Sequence, residues 1–525
     1  MNDGAMQPYA LTLDKYLDHA AKWHPDTEVV TARADGENTR IGYAALRERA
    51  LLLSSVLSGL GVRTGQRVAT LAWNSQAHVE AWFAIMGMGA VCHTLNPRLT
   101  AEQTASMLRQ SCAQVLIVSA DLLPLARDIA SRTPLHHILT IDGDEIERND
   151  AIVQALERLI AKAKQDVVWG GFDENTACGL CFTSGTTGQP KGVTYTHRSS
   201  YLHTLRLLQA DVMGITAADT VLPVVPMFHA NAWGMPFAAP AVGARLVLPG
   251  RQSDGANLAK LIVSEGVTVA AGVPTVWLGL VEHLEAEGAE VPSLKRILVG
   301  GAPMPPALMA RIERRLGASV QTSWGMTELS PLGTMAPPAD PHRDAGLSGR
   351  PAIGIDLLLT DAGGRALPQQ REAEGYLRVR GPAVVERYLG QDDTATDADG
   401  WFDTGDLARI DIKGNLVITG RAKDLIKSGG EWINPAQIEA IVSALPQVSL
   451  AAVVGRTDPK WGERPILLVE LRKDEDLTDQ QLLEPLKGRV ASWWIPDEVV
   501  RLPKMPTAAT GKVDKMRLRS QYGQV

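Results

Sequence analysis

Cysteine is scarce in this chain of 525 residues, which has only Cys92, Cys112, Cys178 and Cys181. So few thiols, so unevenly placed, exclude a disulfide framework and fit a reducing, cytoplasmic setting. Cys178-Gly179-Leu180-Cys181 has the C-x-x-C spacing. No second pair or histidine cluster accompanies it and it falls in an apolar run, which argues against a metal or redox role. Positive charge is not in surplus either. With 52 Lys+Arg against 59 Asp+Glu the formal net charge is -7, so no basic surface advertises nucleic acid. Long apolar runs are absent: Ala81 to Leu95 is too short for a bilayer and is cut by Gly87 and Gly89, so no integral membrane segment is expected. Met1 to Pro8 lacks a basic stretch leading into an apolar one, so no signal peptide is expected. Solenoid repeats and low-complexity tracts are missing as well. What remains is 45% hydrophobic and 21% charged, the composition of an ordinary globular enzyme, at a length that calls for two or three domains.

Apolar residues recur at helical spacing from Leu11 to Ala21 and from Tyr43 to Leu60, and Arg67 to Trp73 reads as a buried strand. Helix and strand then alternate through Ala77 to Met88, Ala90 to Leu95, Thr100 to Arg109 and Gln114 to Ser119, which predicts doubly wound α/β architecture with parallel strands. The charged piece from Glu145 to Gln165 reads as a surface excursion. From about Ile353 the texture changes to short strands and tight turns, a β-rich subdomain, with Trp401 to Asp406 preceding a hairpin that turns at Lys413-Gly414. Gly420 to Glu431 mixes charge and glycine like a linker, and the rest reads as a small α+β domain with a helix expected over Asp479 to Ala491. The expected division is therefore a large N-terminal domain, 1–421, and a small C-terminal domain, 422–525.

The densest chemistry lies in Thr183-Ser184-Gly185-Thr186-Thr187-Gly188-Gln189-Pro190-Lys191-Gly192, which follows the apolar run Cys178 to Phe182 and precedes a helix expected over Arg198 to Ala210. Glycines let backbone N–H groups turn inward around an anion, hydroxyls add donors, and Lys191 supplies positive charge, so the stretch suits a polyphosphate. It is not a Walker A loop, since glycine follows the lysine. Other stretches are weaker alone. His229 fits a core histidine or a catalytic one, and Trp233 fits packing or a ligand wall. Gly300-Gly301-Ala302-Pro303 is a turn where backbone could approach a flat ligand. Trp324-Gly325-Met326-Thr327-Glu328 ends a strand with a carboxylate that could hold phosphate-bridged Mg²⁺ or could open a helix.

In this order, the motifs resemble the adenylate-forming superfamily: acyl-CoA synthetases, adenylation domains of peptide synthetases, and firefly luciferase. The resemblance runs from about Thr39 to Lys512. It implies that Thr183, Ser184, Gly185, Thr186, Thr187, Gly188 and Lys191 cradle the ATP phosphates, with Thr327 and Glu328 acting through Mg²⁺. Gly300, Gly301, Ala302, Pro303, Trp324, Gly325 and Met326 would enclose the adenine and the start of the acyl pocket. Asp406 and Arg421 would hold the ribose, Asp406 through paired acceptor oxygens. Lys423 falls at the hinge position. Lys512 matches the mobile catalytic lysine, His229 the histidine beside the acyl carboxylate, and Gly429, Gly430, Glu431 and Trp432 would face the pantetheine route of coenzyme A.

Two details narrow the group. His229-Ala230-Asn231-Ala232-Trp233-Gly234, Ser428 to Ile433 and Asn96-Pro97-Arg98-Leu99 are similar to bacterial fatty acyl-CoA synthetases, in which the tryptophan at position 233 gates the acyl tunnel. Trp324 stands where tyrosine is common, which is similar to the 3-methylmercaptopropionate-CoA ligases. The expected function is an ATP-dependent, AMP-forming ligase joining a medium- or long-chain acid to coenzyme A. Alternatives are a short-chain ligase of the methylmercaptopropionate type, a ligase for aryl acids, and an adenylation enzyme loading a carrier protein. The expected partners are small molecules, with a homodimer through the large domain as relatives imply.

Overall fold

Runs of Val, Ile, Leu and Ala bounded by turns pair side by side into two large sheets in the computed structural model, which describes residues 4–33, 36–143, 152–183, 190–340, 343–507 and 513–524. The first sheet has seven strands, in the order Val153–Ala155, His137–Ile141, Val115–Ser119, Arg67–Leu71, Val91–Thr94, Ala177–Thr183 and Lys191–Thr196. All neighbours are parallel except the last pair. The second has nine, from Arg350–Pro351 through Leu332–Met335, Ser319–Gly325, Arg296–Val299, Val269–Gly272, Thr220–Pro223, Arg245–Leu248 and Glu28–Thr31 to Thr39–Gly42, parallel in the middle and antiparallel at both edges.

Strand periodicity sorts the side chains into layers. Val115 and Ile117 join the core between the sheets while Leu116 and Val118 join the outer one, and Val221 and Leu222 divide the same way on the second sheet. The inner core also takes Leu46 and Leu53 from the helix Tyr43–Gly59, Trp82 and Phe83 from Gln76–Gly87, and Phe237 from Met235–Val242. Every residue from His78 to Gly87 is buried, as expected of a helix with sheets on both sides. A four-stranded antiparallel sheet follows, Asp356–Thr360, Glu374–Arg380, Phe402–Ile410 and Leu416–Arg421. The C-terminal sheet, built around Val448–Asp458 and Gly462–Leu471, has separate apolar clusters, so this is the expected α/β molecule with a separate C-terminal domain. No helix among the described residues is long and apolar enough to cross a membrane.

Several expectations need correction. The excursion read from Glu145 is partly built into the sheet: Val153–Ala155 is an edge strand and Leu156 and Ile160 of the next helix are buried. Charged neighbours hide that short apolar alternation. The polyphosphate stretch joins two antiparallel strands, not a strand to a helix, because Lys191–Thr196 folds back on Ala177–Thr183 before the helix His197–Leu207 begins. The stretch Gly420 to Glu431 is a strand end and a hairpin, Ile426–Ser428 with Glu431–Ile433. Its turn needs Gly429 and Gly430, at φ 60° and 93°. Phe402 to Asp406 lies inside a strand, and the helix expected to Ala491 stops at Leu483, ahead of Pro485.

Candidate active site

Thr183 and Lys191 face each other across the hairpin, so the base of the glycine-rich stretch is a cross-strand pair. Ser184, Gly185, Thr186, Thr187 and Gly188 lie outside the described residues. Lys191 Nζ stands 4.9 Å from the centroid of the Tyr388 ring, and Leu389 N donates to Gly192 O at 2.8 Å, docking that segment on the hairpin. Tyr388 Oη donates to Glu328 Oε1 at 3.0 Å. Tyr195 Oη, from the strand that Lys191 opens, donates to Thr327 O at 2.8 Å. Two tyrosines thus draw Lys191, Thr327 and Glu328 into one place. Burial raises the Glu328 pKa above the ordinary carboxylate range, opposed by the Tyr388 hydrogen bond and the charges of Arg421 and Lys191. Among the described residues no group of three or more His, Cys, Asp or Glu is arranged for a metal ion. A lone carboxylate beside a hydroxyl fits Mg²⁺ carried on phosphates, not an all-protein cage.

Asp406 and Arg421 are directly opposite on neighbouring strands, with Arg421 Nε 2.6 Å from Asp406 Oδ1. Trp324 Nε1 donates to Asp406 Oδ2 at 2.8 Å. Both oxygens of this buried carboxylate are thus engaged, yet each retains acceptor capacity for a diol. The indole N–H gives position 324 a tie to Asp406. A Cβ on Gly333 would fall 2.5 Å from the Trp324 ring, so glycine there lets the ring lie against backbone.

Gly300 lies between Ser323 and Trp233. A Cβ there would lie 2.5 Å from Ser323 Oγ and 3.2 Å from the Trp233 ring, so the missing side chain brings Trp233 to the end of the strand Ser319–Gly325. Gly301, Ala302 and Pro303 continue as a turn, with Gly301 at φ 77°. His229 is half-buried and precedes a left-handed turn. Ala230, Asn231, Ala232 and Trp233 have φ of 43°, 55°, 46° and 54°. Such backbone costs on the order of 1–3 kcal/mol per residue and persists only where surrounding contacts fix it. Cys181 Sγ donates to Asn231 Oδ1 at 3.6 Å, and Gly234 rests against His203 and Leu207. His203 Nε2 accepts from Leu332 N, and Arg206 Nη2 donates to Leu332 O, both at 3.2 Å. Burial pulls the Arg206 pKa down to about 10, and no carboxylate pairs with it among the described residues. Sequence reading missed Tyr195, Tyr388, His203 and Arg206, whose partners lie 60 to 132 positions away in the chain, and Gly333, a lone glycine whose closeness to the Trp324 ring no spacing rule gives.

The remaining residues form a second set. Lys423 lies in the one-turn segment Ala422–Asp424, and burial lowers its pKa. Its neighbour Asp424 takes Arg519 at 2.7 Å and Lys515 at 3.8 Å. Trp461 occupies the space a Cβ on Gly429 would need, and Gly429 N donates to Trp461 O at 2.7 Å. Glu431 and Trp432 are exposed, with Lys427 Nζ 5.6 Å from the Trp432 ring centroid. Lys512 lies outside the described residues.

Two α/β sheets sharing a buried helical layer, followed by a four-stranded sheet and a separate C-terminal domain, are the architecture of adenylate-forming enzymes. The crystal structure of ATP-bound MatB from Rhodopseudomonas palustris superposes with a TM-score of 0.85 at 25% identity, covering 98% of this chain and 99% of that one. The chain belongs to the AMP-binding enzyme family, whose model matches residues 17–389, while that of the AMP-binding enzyme C-terminal domain matches residues 437–512. It is 41% identical to a 3-methylmercaptopropionyl-CoA ligase of Ruegeria lacuscaerulensis, over 99% of this chain and 98% of that protein. It is 40% identical to a medium-chain-fatty-acid–CoA ligase of Ectopseudomonas oleovorans, with the same coverage.

Proposed function

We propose that this chain, an ATP-binding, AMP-forming acyl-CoA synthetase, activates a medium- or long-chain fatty acid as its acyl adenylate and transfers the acyl group to coenzyme A. One observation carries the reading. The six residues Ser323 to Glu328 touch every part of the site: Ser323 meets Gly300, which meets Trp233; Trp324 holds Asp406 and, through it, Arg421; Glu328 reaches Lys191 through Tyr388. That adjacency supports a reading in which acid, nucleoside and polyphosphate would take adjoining places along one strand end.

A carboxylate acylates poorly because its leaving group would be an oxide, so exchange for AMP is needed first. That bond joins two anions. Lys191 and Lys512 would offset their repulsion, the stretch Thr183 to Gly188 would donate to the phosphates, and Asp406 and Arg421 would orient the ribose. Thr327 and Glu328 would hold Mg²⁺, which supplies positive charge to the phosphate oxygens. His229 would face the acid carboxylate, with Trp233 and Gly300 along the acyl chain. Gly301, Ala302, Pro303, Gly325 and Met326 would border the adenine. The thiol would then arrive past Gly429, Gly430, Glu431 and Trp432, after the domain 422–525 turns against 1–421 near Lys423. Cytoplasmic residence and a homodimer belong to the same reading.

The second reading is a short-chain acid such as 3-methylmercaptopropionate. It is favoured by Trp324, whose large ring is fixed by Asp406 and backed by Gly333. The deciding experiment is pyrophosphate release with ATP and Mg²⁺ across straight-chain acids from C2 to C18, methylmercaptopropionate and cinnamate, each with and without coenzyme A. Coenzyme-A-dependent turnover on acids of C6 or longer is expected. A maximum on methylmercaptopropionate or butyrate selects the second reading, and pyrophosphate release without thioester points to a carrier protein as acceptor.

A further inference from the structure

Between the strand Thr220–Pro223 and His229 the chain runs through Pro223-Val224-Val225-Pro226-Met227-Phe228, irregular and mostly buried. Buried irregular backbone must find hydrogen-bond partners, since each orphaned group costs about 1–3 kcal/mol. Val224 N and Val225 N both reach Ala271 O. Three further groups end on one side chain. Asn74 Nδ2 donates to Pro223 O and to Val225 O, each at 2.9 Å, and Asn74 Oδ1 accepts from Met227 N at 2.7 Å. Two donor hydrogens and one acceptor oxygen match two carbonyls and one N–H, a set that no other uncharged side chain of this size offers.

Asn74 is itself tightly held. It is 4% exposed. The next residue, Ser75, caps the buried helix Gln76–Gly87 through His78 N at 3.3 Å and donates to Asp142 Oδ2 at 2.9 Å. The preceding residue has its carbonyl on His78 Nδ1 at 3.0 Å and its N–H on Ser119 Oγ at 3.3 Å. Asn74 O accepts from Gly250 N at 3.0 Å. The amide thus stands at the root of the central helix, on the first sheet's side, and reaches across to the second.

We infer that Asn74 is a positioning residue for the acid-binding turn: it fixes the path into His229 and so the start of the left-handed turn that carries Trp233. It acts through that backbone and has no contact with substrate. The inference rests on the proposed placement of the acid at His229 and Trp233, and it assigns to a residue just beyond the first-sheet strand Arg67–Leu71 the precision of a site on the second sheet. Because the polyphosphate and ribose groups hang on other elements, Asn74 governs the acid and not the nucleotide.

The test measures KM for octanoate at saturating ATP and KM for ATP at saturating octanoate, by pyrophosphate release with coenzyme A, on the full chain and on Asn74→Asp, Asn74→Ser and Asn74→Ala. Asn74→Asp keeps shape and the acceptor for Met227 N but sets lone pairs against two carbonyls. The expected result is a rise of about tenfold or more in KM for octanoate in Asn74→Asp and Asn74→Ala, an intermediate rise in Asn74→Ser, and KM for ATP within about twofold. Equal shifts in both KM values, or none in either, overturn the inference. If Asn74→Ala and Asn74→Asp melt below the assay temperature, Asn74→Ser decides on the same criterion. Wild-type enzyme that releases no pyrophosphate with any acid overturns the functional reading instead, and His229→Ala measured alongside shows whether the turn itself governs KM for the acid.

Discussion

At the scale of single residues, Glu328 is where burial and function pull in opposite directions. A carboxyl whose pKa is higher in the folded than in the unfolded state holds its proton more tightly when native. The stability this contributes is present below the ordinary carboxylate value of 4.5 and is lost as pH rises through the raised one. In metal-free buffer, wild-type protein should lose melting temperature across that window relative to Glu328→Gln, which has no charge to desolvate. Parallel melting curves would mean the carboxylate is not penalised by burial. Tyr388 works against the penalty, since its hydroxyl donates to the ionised form. Tyr388→Phe should move the acidic limb of the kcat/KM profile to higher pH and lower turnover on the order of tenfold, the weight of a hydrogen bond to a charged group. An unmoved acidic limb would sink that role.

At the scale of elements, close approach is set by glycines. A Cβ at Gly300 meets Ser323 Oγ, which is held on Val299 O at 2.9 Å, and the Trp233 ring. Gly300→Ala should cost about 1–3 kcal/mol of stability and shift the preferred acid length, because the ring must move. Thermal denaturation and the acid series measure both, and unchanged acid preference would remove the contact from the site. The same elements mark how far the sequence could be read. Val115–Ser119 was legible because alternate residues face two different cores. Lys191–Thr196 was not, because polar and apolar residues mix beside a motif whose loop reading dominated. Gly429 and Gly430 suit a linker or a hairpin equally until Trp461 is seen against them. No propensity rule yields four consecutive left-handed residues at Ala230 to Trp233. The motif residues that meet at Ser323 to Glu328 were legible by resemblance, whereas Tyr195, Tyr388 and Asn74 were silent, since their partners lie 132, 60 and 149 to 153 positions away.

At the scale of the whole molecule, one site has to serve two reactions that need different company. Arg421 is tied to the four-stranded sheet by Asp406, and Asp424 is tied to the C-terminal helix Lys515–Tyr522 by Arg519. Only Ala422 and Lys423 lie between those two anchors, so the rotation proposed near Lys423 would leave the Asp406–Arg421 pair in place. Such a rotation would exchange Lys512, beside the phosphate during adenylation, for the Gly429–Gly430 turn during thiol attack. Lys512→Ala should therefore suppress acid-dependent pyrophosphate release strongly while sparing thioester formation from supplied acyl adenylate and coenzyme A. The two half-reactions are measured separately on the full chain. Equal loss in both would mean that Lys512 supports the fold or a single shared arrangement, and that the small domain does not divide the chemistry between two positions.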